Sequence, residues 1–133
     1  MRKLLLLLPL ALAGCASSPG VHAPVDHFEY GAISHDPFWL VTIGDDRIIL
    51  TMGPPGGRAD GELVEHIYPR VLPVVEADGT RRWESTSGAG VIAVEAKPGP
   101  CKTGGRTYAD ATRVTLSGRE MFGCGGPEVR GEA

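Results

Sequence analysis

Helical periodicity is what this chain most conspicuously lacks. Past the N-terminal segment, no stretch of eleven or more residues carries apolar side chains at helical spacing, which argues against helix bundles and alternating strand–helix folds. Aromatic residues are few, three Phe, three Tyr and two Trp, so each one matters to any core. Basic charge is scarce, with 13 Lys and Arg against 16 Asp and Glu. Beyond the first three residues the one adjacent basic pair, Arg81-Arg82, sits near Glu84, and an acidic chain of this kind is a poor partner for nucleic acid. No apolar run is long enough for a membrane-spanning helix. The glycine-rich piece Gly53–Gly61 has no Gly-Lys-Ser/Thr and reads as a long hairpin loop rather than a phosphate cradle. Neither a Gly-x-Ser-x-Gly elbow nor a Ser-x-x-Lys occurs, so Ser85, Thr86 and Ser87 lack the setting of a nucleophile. Nothing in the chain calls for a cofactor.

What is present begins at the N-terminus. Arg2 and Lys3 precede an apolar run, Leu4 to Leu12, broken only by Pro9, and the small pair Ala13-Gly14 precedes Cys15. This is the layout of a secretory signal peptide over residues 1–14. Leu12-Ala13-Gly14-Cys15 resembles the bacterial lipobox, which implies a lipid on Cys15, cleavage before it, and anchoring by two or more acyl chains such as palmitate. Ala16 stands where an inner-membrane retention signal would often place Asp, so the resemblance implies the outer membrane, facing the periplasm. Loss of residues 1–14 leaves 11 basic and 16 acidic residues, 11 − 16 = −5.

Three cysteines are an odd number for an exported protein. Lipidation of Cys15 leaves Cys101 and Cys124, which in an oxidising compartment read as a disulfide closing a loop of 24 residues. A redox pair normally lies closer in sequence, and a metal pair needs further ligands nearby.

Residues 15–24 hold Cys15 and a small, proline-bearing stretch that reads as a tether; residues 125–133 read as a flexible tail, which leaves 25–124 as one β domain. Within it, short β-like runs recur between glycine, proline and Asp/Ser turns: His27–Ile33, Phe38–Ile43, Arg47–Met52, Glu62–Tyr68, Val71–Glu76, Arg81–Thr86, Val91–Ala96, Ala111–Leu116 and Arg119–Cys124. Tight turns are expected at Gly44-Asp45-Asp46, Ala77–Thr80 and Ser117-Gly118. Ile48, Leu50 and Met52 alternate onto one face, as do Phe28, Tyr30 and Ala32. The fold class expected is all-β, a small antiparallel barrel or sandwich, with the barrel favoured because closure removes exposed edges.

Two segments are distinctive: Tyr30-Gly31-Ala32-Ile33-Ser34-His35-Asp36-Pro37-Phe38-Trp39 near the start, and Cys101, Tyr108, Val114–Gly118 and Phe122-Gly123-Cys124-Gly125 near the end. Together they resemble an uncharacterised family of bacterial envelope lipoproteins that opens with Gly-x-x-Glu-Pro-Phe-Trp and closes with a cysteine pair ending in Gly-Cys-Gly. The resemblance implies export, a Cys101–Cys124 bridge and a β-rich domain, and brings no activity. The chain departs from the pattern in having Asp36 for Glu, and Lys102–Arg106 after Cys101 where the family has Asp-x-Met-Ser.

Candidate chemistry is sparse. Asp36, Phe38 and Trp39, with Trp83, could line a ligand pocket; equally, an Asp-Pro turn could enter a strand whose aromatics fill the core. His27, His35 and Asp36 could hold a metal, although they lack helical ligand spacing and no Cys-x-x-Cys accompanies them. His66 alternates with Val64 and Tyr68, which favours a structural histidine over a catalytic base. Glu62 and Glu65 read as a solvated face. The expectation is a lipid-anchored envelope protein that acts as a non-catalytic binding or envelope-maintenance module, its partners the membrane and an unidentified envelope ligand or protein. A metal-binding lipoprotein and a periplasmic hydrolase using His66 or Asp36 are the alternatives.

Overall fold

The computed structural model describes residues 25, 27–53 and 62–130. The expected signal peptide (1–14), Cys15 and the tether (15–24) lie outside the described residues, as do His22, Asp26 and most of the Gly53–Gly61 loop. Among the described residues the chain is all-β, in strands β1 (Phe28–His35), β2 (Phe38–Gly44), β3 (Arg47–Met52), β4 (Val64–Pro69), β5 (Val74–Val75), β6 (Arg81–Ser87), β7 (Gly90–Thr103), β8 (Arg106–Leu116) and β9 (Arg119–Glu128). All belong to one antiparallel sheet in the order β4-β3-β2-β1-β9-β8-β7-β6-β5.

Two meanders, β1 to β4 and β5 to β9, are joined by the β1–β9 ladder, with Ala32 opposite Gly125 and Ile33 opposite Cys124. The sheet's outermost strands, β4 and β5, are consecutive in sequence, separated by residues 70–73. Five residue steps reach at most about 18 Å, whereas eight strand spacings laid flat would need about 38 Å. The sheet must therefore curl until its two edges approach, and it forms a half-barrel rather than a sandwich. Near the seam the Ser85 hydroxyl on β6 donates to the Pro69 carbonyl on β4 at 2.6 Å.

Alternation decides what fills the concave side. Tyr30, Ala32, Trp39, Val41, Ile43, Ile48, Leu50, Tyr68, Trp83, Ile92, Val94, Val114 and Met121 form a single buried cluster. Tyr30 stacks on Trp83 with ring centroids 5.0 Å apart. Phe28 departs from the expected face. A bulge between Phe28 and Tyr30 sets two residues of β1 against one step of β2, which turns Phe28 outward while Tyr30 points in. The Phe28 ring then lies over Gly31, where a Cβ would stand 2.9 Å from it.

The largest differences from expectation lie in β7, β8 and β9. Strand β7 continues to Thr103, β8 begins at Arg106, and β9 runs on to Glu128, so residues 125–128 of the expected tail are strand. Proline and glycine in Pro98-Gly99-Pro100 suggested an end to β7. Here they form a bulge between Pro98 and Cys101, and β9 has its own bulge opposite Tyr108 to Asp110. The far half of the β7–β8 hairpin bends over the outside of the sheet. There Cys101 bonds to Cys124 with Cα atoms 5.4 Å apart, and Thr103 meets His35 on β1. The expected bridge is therefore formed, and it pins this hairpin across β8 onto β9. The tip turns through Gly104 and Gly105 at φ 58 and 75°, left-handed values that glycine tolerates.

Candidate functional site

Strand direction sorts the loops into two groups. One end of the half-barrel carries the β1–β2 turn with Asp36 and Pro37, the end of β3 at Met52 and the start of β4 at Val64, and the β8–β9 turn at Ser117 and Gly118. The other end carries Val25, the β2–β3 turn at Asp45 and Asp46, and the β4–β5 and β5–β6 connections.

At the first end Asp36, Pro37, Arg119, Glu120 and Phe122 surround a shallow cleft of about 270 Å³ above Trp39. The Asp36–Pro37 peptide is cis. Asp36 is exposed and Phe122 is 67 % exposed, while Trp39 is 1 % exposed and belongs to the core. The Trp39 Nε1 is buried and has no hydrogen-bond partner among the described residues. A buried donor in that state costs roughly 1–3 kcal/mol. Gly123 lets Trp39 in, since a Cβ there would stand 2.6 Å from its Cζ2 and 2.5 Å from the Ile33 carbonyl oxygen.

Of the candidate ligand set, the structure brings Asp36 and Trp39 to one cleft and separates the rest. Phe38 falls on the opposite face of β2, because adjacent residues of a strand point apart. Trp83 is fully buried against Tyr30, away from Asp36, because β6 turns Trp83 inward and Arg82 and Glu84 outward. Arg119, Glu120 and Phe122 complete the cleft and were not singled out in the sequence. The available signal was slight: Phe122 belongs to the second distinctive segment, and Arg119 and Glu120 stand between Gly118 and Phe122 within it.

The three proposed metal ligands do not converge. His27 and His35 stand at opposite ends of β1, about 26 Å apart along the strand. His27 Nδ1 pairs with Asp45 Oδ2 at 2.8 Å, and His35 Nδ1 meets Thr103 Oγ1 at 3.0 Å. Among the described residues no three His, Cys, Asp or Glu side chains are grouped so as to hold a metal ion. Asp45 is held below the usual carboxylate range: desolvation, the largest single influence, opposes the shift, and the hydrogen bonds from the His27 backbone and side chain together outweigh it. His66 lies half-buried on the inner face of β4 opposite Leu50, and so does not join Asp36 at the turn.

The most organised polar group was not anticipated. Tyr30 Oη donates to Asp110 Oδ2 at 3.1 Å and lies 3.0 Å from Thr112 Oγ1, and Arg81 Nη2 reaches the same carboxylate oxygen at 3.3 Å. The Arg81 guanidinium also covers the Tyr30 and Trp83 rings at 4.9 and 5.4 Å. Asp110 and Thr112 are buried, so this cluster supplies their partners. Burial pushes the Tyr30 phenol far above its ordinary value, keeping it a neutral donor and no base at physiological pH. Gly125 makes room for it, since a Cβ there would stand 2.4 Å from the Tyr30 oxygen and 2.6 Å from that of Thr112. The two distinctive segments therefore meet: Gly123 admits Trp39, and Gly125 admits Tyr30.

On the outer face a second cleft of about 440 Å³ is lined by Glu76, Asp78, Thr80, Glu95, Lys97 and Arg113. Two of its charges, Glu95 and Arg113, belong to a chain of ion pairs that runs beside it. Arg82 binds Glu84 and Glu95, and Arg113 binds Glu95 and Glu120. Exposed pairs of this kind are worth about 0.2–1 kcal/mol each and read as surface structure. No family model, no curated protein and no solved structure matches the chain.

Proposed function

We propose that this chain is a lipid-anchored protein of the bacterial envelope, cleaved before Cys15, whose β domain holds a ligand rather than transforming one. The observation that carries the address is Leu12-Ala13-Gly14-Cys15 behind a basic start and an apolar run. The Cys101–Cys124 disulfide supports it, since such bonds persist in oxidising compartments. Support for binding comes from the cleft at Asp36, where charges of both signs, Asp36, Arg119 and Glu120, ring an apolar floor. Among the described residues the cleft is lined by Asp36, Pro37, Trp39, Arg119, Glu120, Met121 and Phe122, a set suited to holding a charged or polar ligand against an apolar floor. If the domain is tethered through Val25, the cleft lies at its far end, turned away from the anchor.

Detergent phase partition of cells expressing the full chain tests the address. The wild type should enter the detergent phase, and Cys15→Ser should remain uncleaved and lose its lipid. Wild-type protein in the aqueous phase with an unmodified Cys15 would refute it. For the cleft, thermal shift against peptidoglycan fragments, phospholipid headgroups and short peptides should give a ligand whose stabilisation is lost in Asp36→Asn and Arg119→Ala. Turnover of any of these compounds, abolished by Asp36→Asn or His66→Ala, would overturn the non-catalytic reading.

A further inference from the structure

The convex face of the half-barrel divides into two unlike halves. Across β6 to β9 it is laced by the ion pairs of Arg82, Glu84, Glu95, Arg113 and Glu120. Across the middle of β1 to β3 the outward side chains are Phe28, Ile33, Leu40, Thr42, Ile49 and Thr51, with Phe38 and His35 at one margin and Arg47, paired with Asp46, at the other. Phe28 is 70 % exposed and Leu40 37 % exposed. Both border two shallow clefts, of about 270 Å³ towards Tyr108 and Cys124 and about 340 Å³ towards Ile49 and Glu65. Phe28 does not protrude by accident of a frayed end. The β1 bulge turns it outward, and Gly31 gives its ring a flat bed. A built apolar patch of this kind marks a surface that meets something apolar.

Chain length argues for what it meets. Val25 lies against Gly44, where a Cβ would stand 2.4 Å from its own, so the chain enters the domain beside Phe28. Cys15 is ten residues earlier, and ten residues extend no more than about 35 Å. With a lipid on Cys15, the proposal on which this inference rests, the Phe28 face stays within that reach of the bilayer. Charge points the same way. The mature chain is acidic, and its other outer half would have to strip water from paired charges to approach lipid, whereas the β1–β3 half keeps its charged groups at its margins, at His35, Asp45, Asp46 and Arg47, and presents none in its middle. We infer that the outer face of β1–β3, centred on Phe28 and Leu40, seats the domain against the surface of the bilayer that holds its lipid. The seat holds the half-barrel on its side, with the Asp36 cleft at the rim, open to the periplasm.

Tryptophan quenching in vesicles tests this. The lipidated full-length mature protein would be reconstituted into phosphatidylcholine vesicles whose acyl chains are brominated near the headgroup. Phe28→Trp places a probe on the proposed seat, and Val91→Trp places one on β7, where Val91 is 42 % exposed on the charged half. Unsubstituted protein supplies the baseline from the buried Trp39 and Trp83. The emission added by Phe28→Trp should be blue-shifted and largely lost to bromine, while that added by Val91→Trp should survive. Equal survival of both in protein that floats with the vesicles overturns the seat and leaves the anchor standing. Protein that fails to float overturns the anchor, and the seat with it. A blue shift that resists bromine and grows with protein density gives the face to a second copy of the chain, which also overturns the seat.

Discussion

Gly125→Ala is the substitution that most sharply tests how the core is assembled. The added methyl would arrive 2.4 Å from the Tyr30 oxygen, 2.6 Å from the Thr112 oxygen and 2.8 Å from the Ala32 Cβ, all on buried residues. Overpacking of a well-filled core costs roughly 1–3 kcal/mol. Displacing the Tyr30 hydroxyl also weakens a hydrogen bond to the buried Asp110 carboxylate, a bond of a class worth about 1.5–3 kcal/mol. The expected loss is thus about 3–5 kcal/mol. Tyr30→Phe alone removes the hydroxyl, keeps the stack on Trp83, and should cost about 1.5–3 kcal/mol. With that oxygen gone, Gly125→Ala loses its closest clash and has no hydrogen bond left to break. The double variant should therefore be more stable than the two losses summed predict, by about 1 kcal/mol or more. Urea titration followed by fluorescence reads all four proteins, with Trp83 reporting directly on its Tyr30 neighbour. Additivity to within about 0.5 kcal/mol would show that Gly125 is not there to admit the phenol.

Other expectations follow from the same packing. Cys101→Ser should cost about 3 kcal/mol from loop-closure entropy, and should free the hairpin tip, read as faster amide exchange from Lys102 to Thr107 with no change in the β1–β3 ladders. Trp39→Ala should cost about 3–5 kcal/mol as a core truncation, enough to lower the melting temperature far more than a surface change would; an unshifted melt would place Trp39 outside the core. Desolvation raises both the Tyr30 and Tyr68 phenols, so the folded state favours their protonated forms. That stability is fully present below the ordinary phenol value of about 10 and is lost as pH rises beyond it, so phenolate absorbance of these two should appear only together with unfolding.

Local pattern was legible, and long-range placement was not. Each expected strand segment has a counterpart, because alternation such as Ile48, Leu50, Met52 and turn residues such as Ser117-Gly118 are written within a few residues. The reduction of Val71–Glu76 to the two residues Val74–Val75 came from the sharp passage between the sheet's two edges, which topology imposes and sequence does not display. The inversion of Phe28 depends on one inserted residue, and a period of two cannot reveal a bulge. The Tyr30–Arg81–Asp110 cluster joins residues 29 to 80 positions apart, so no spacing rule could find it. A faint signal existed: Asp110 and Thr112 alternate with Val114 on the inward face of β8, polar residues where apolar ones are the rule. The disulfide was reached by arithmetic on three cysteines, whereas the folded-back hairpin that it pins needed the two bulges and so could not be read. At the candidate cleft, Asp36 and Trp39 were legible as a motif, but Arg119, Glu120 and Phe122 came with the β8–β9 turn, which the sheet alone brings alongside.

The central claim is the address, and the mass of the mature N-terminus tests it most directly. The protein would be isolated from envelopes, digested, and its first peptide measured by mass spectrometry. The account predicts a chain that begins at Cys15 and carries the added mass of a thioether-linked diacylglycerol, with a further acyl group on the new amine. A mature chain that begins elsewhere, or a Cys15 of unmodified mass, would contradict it.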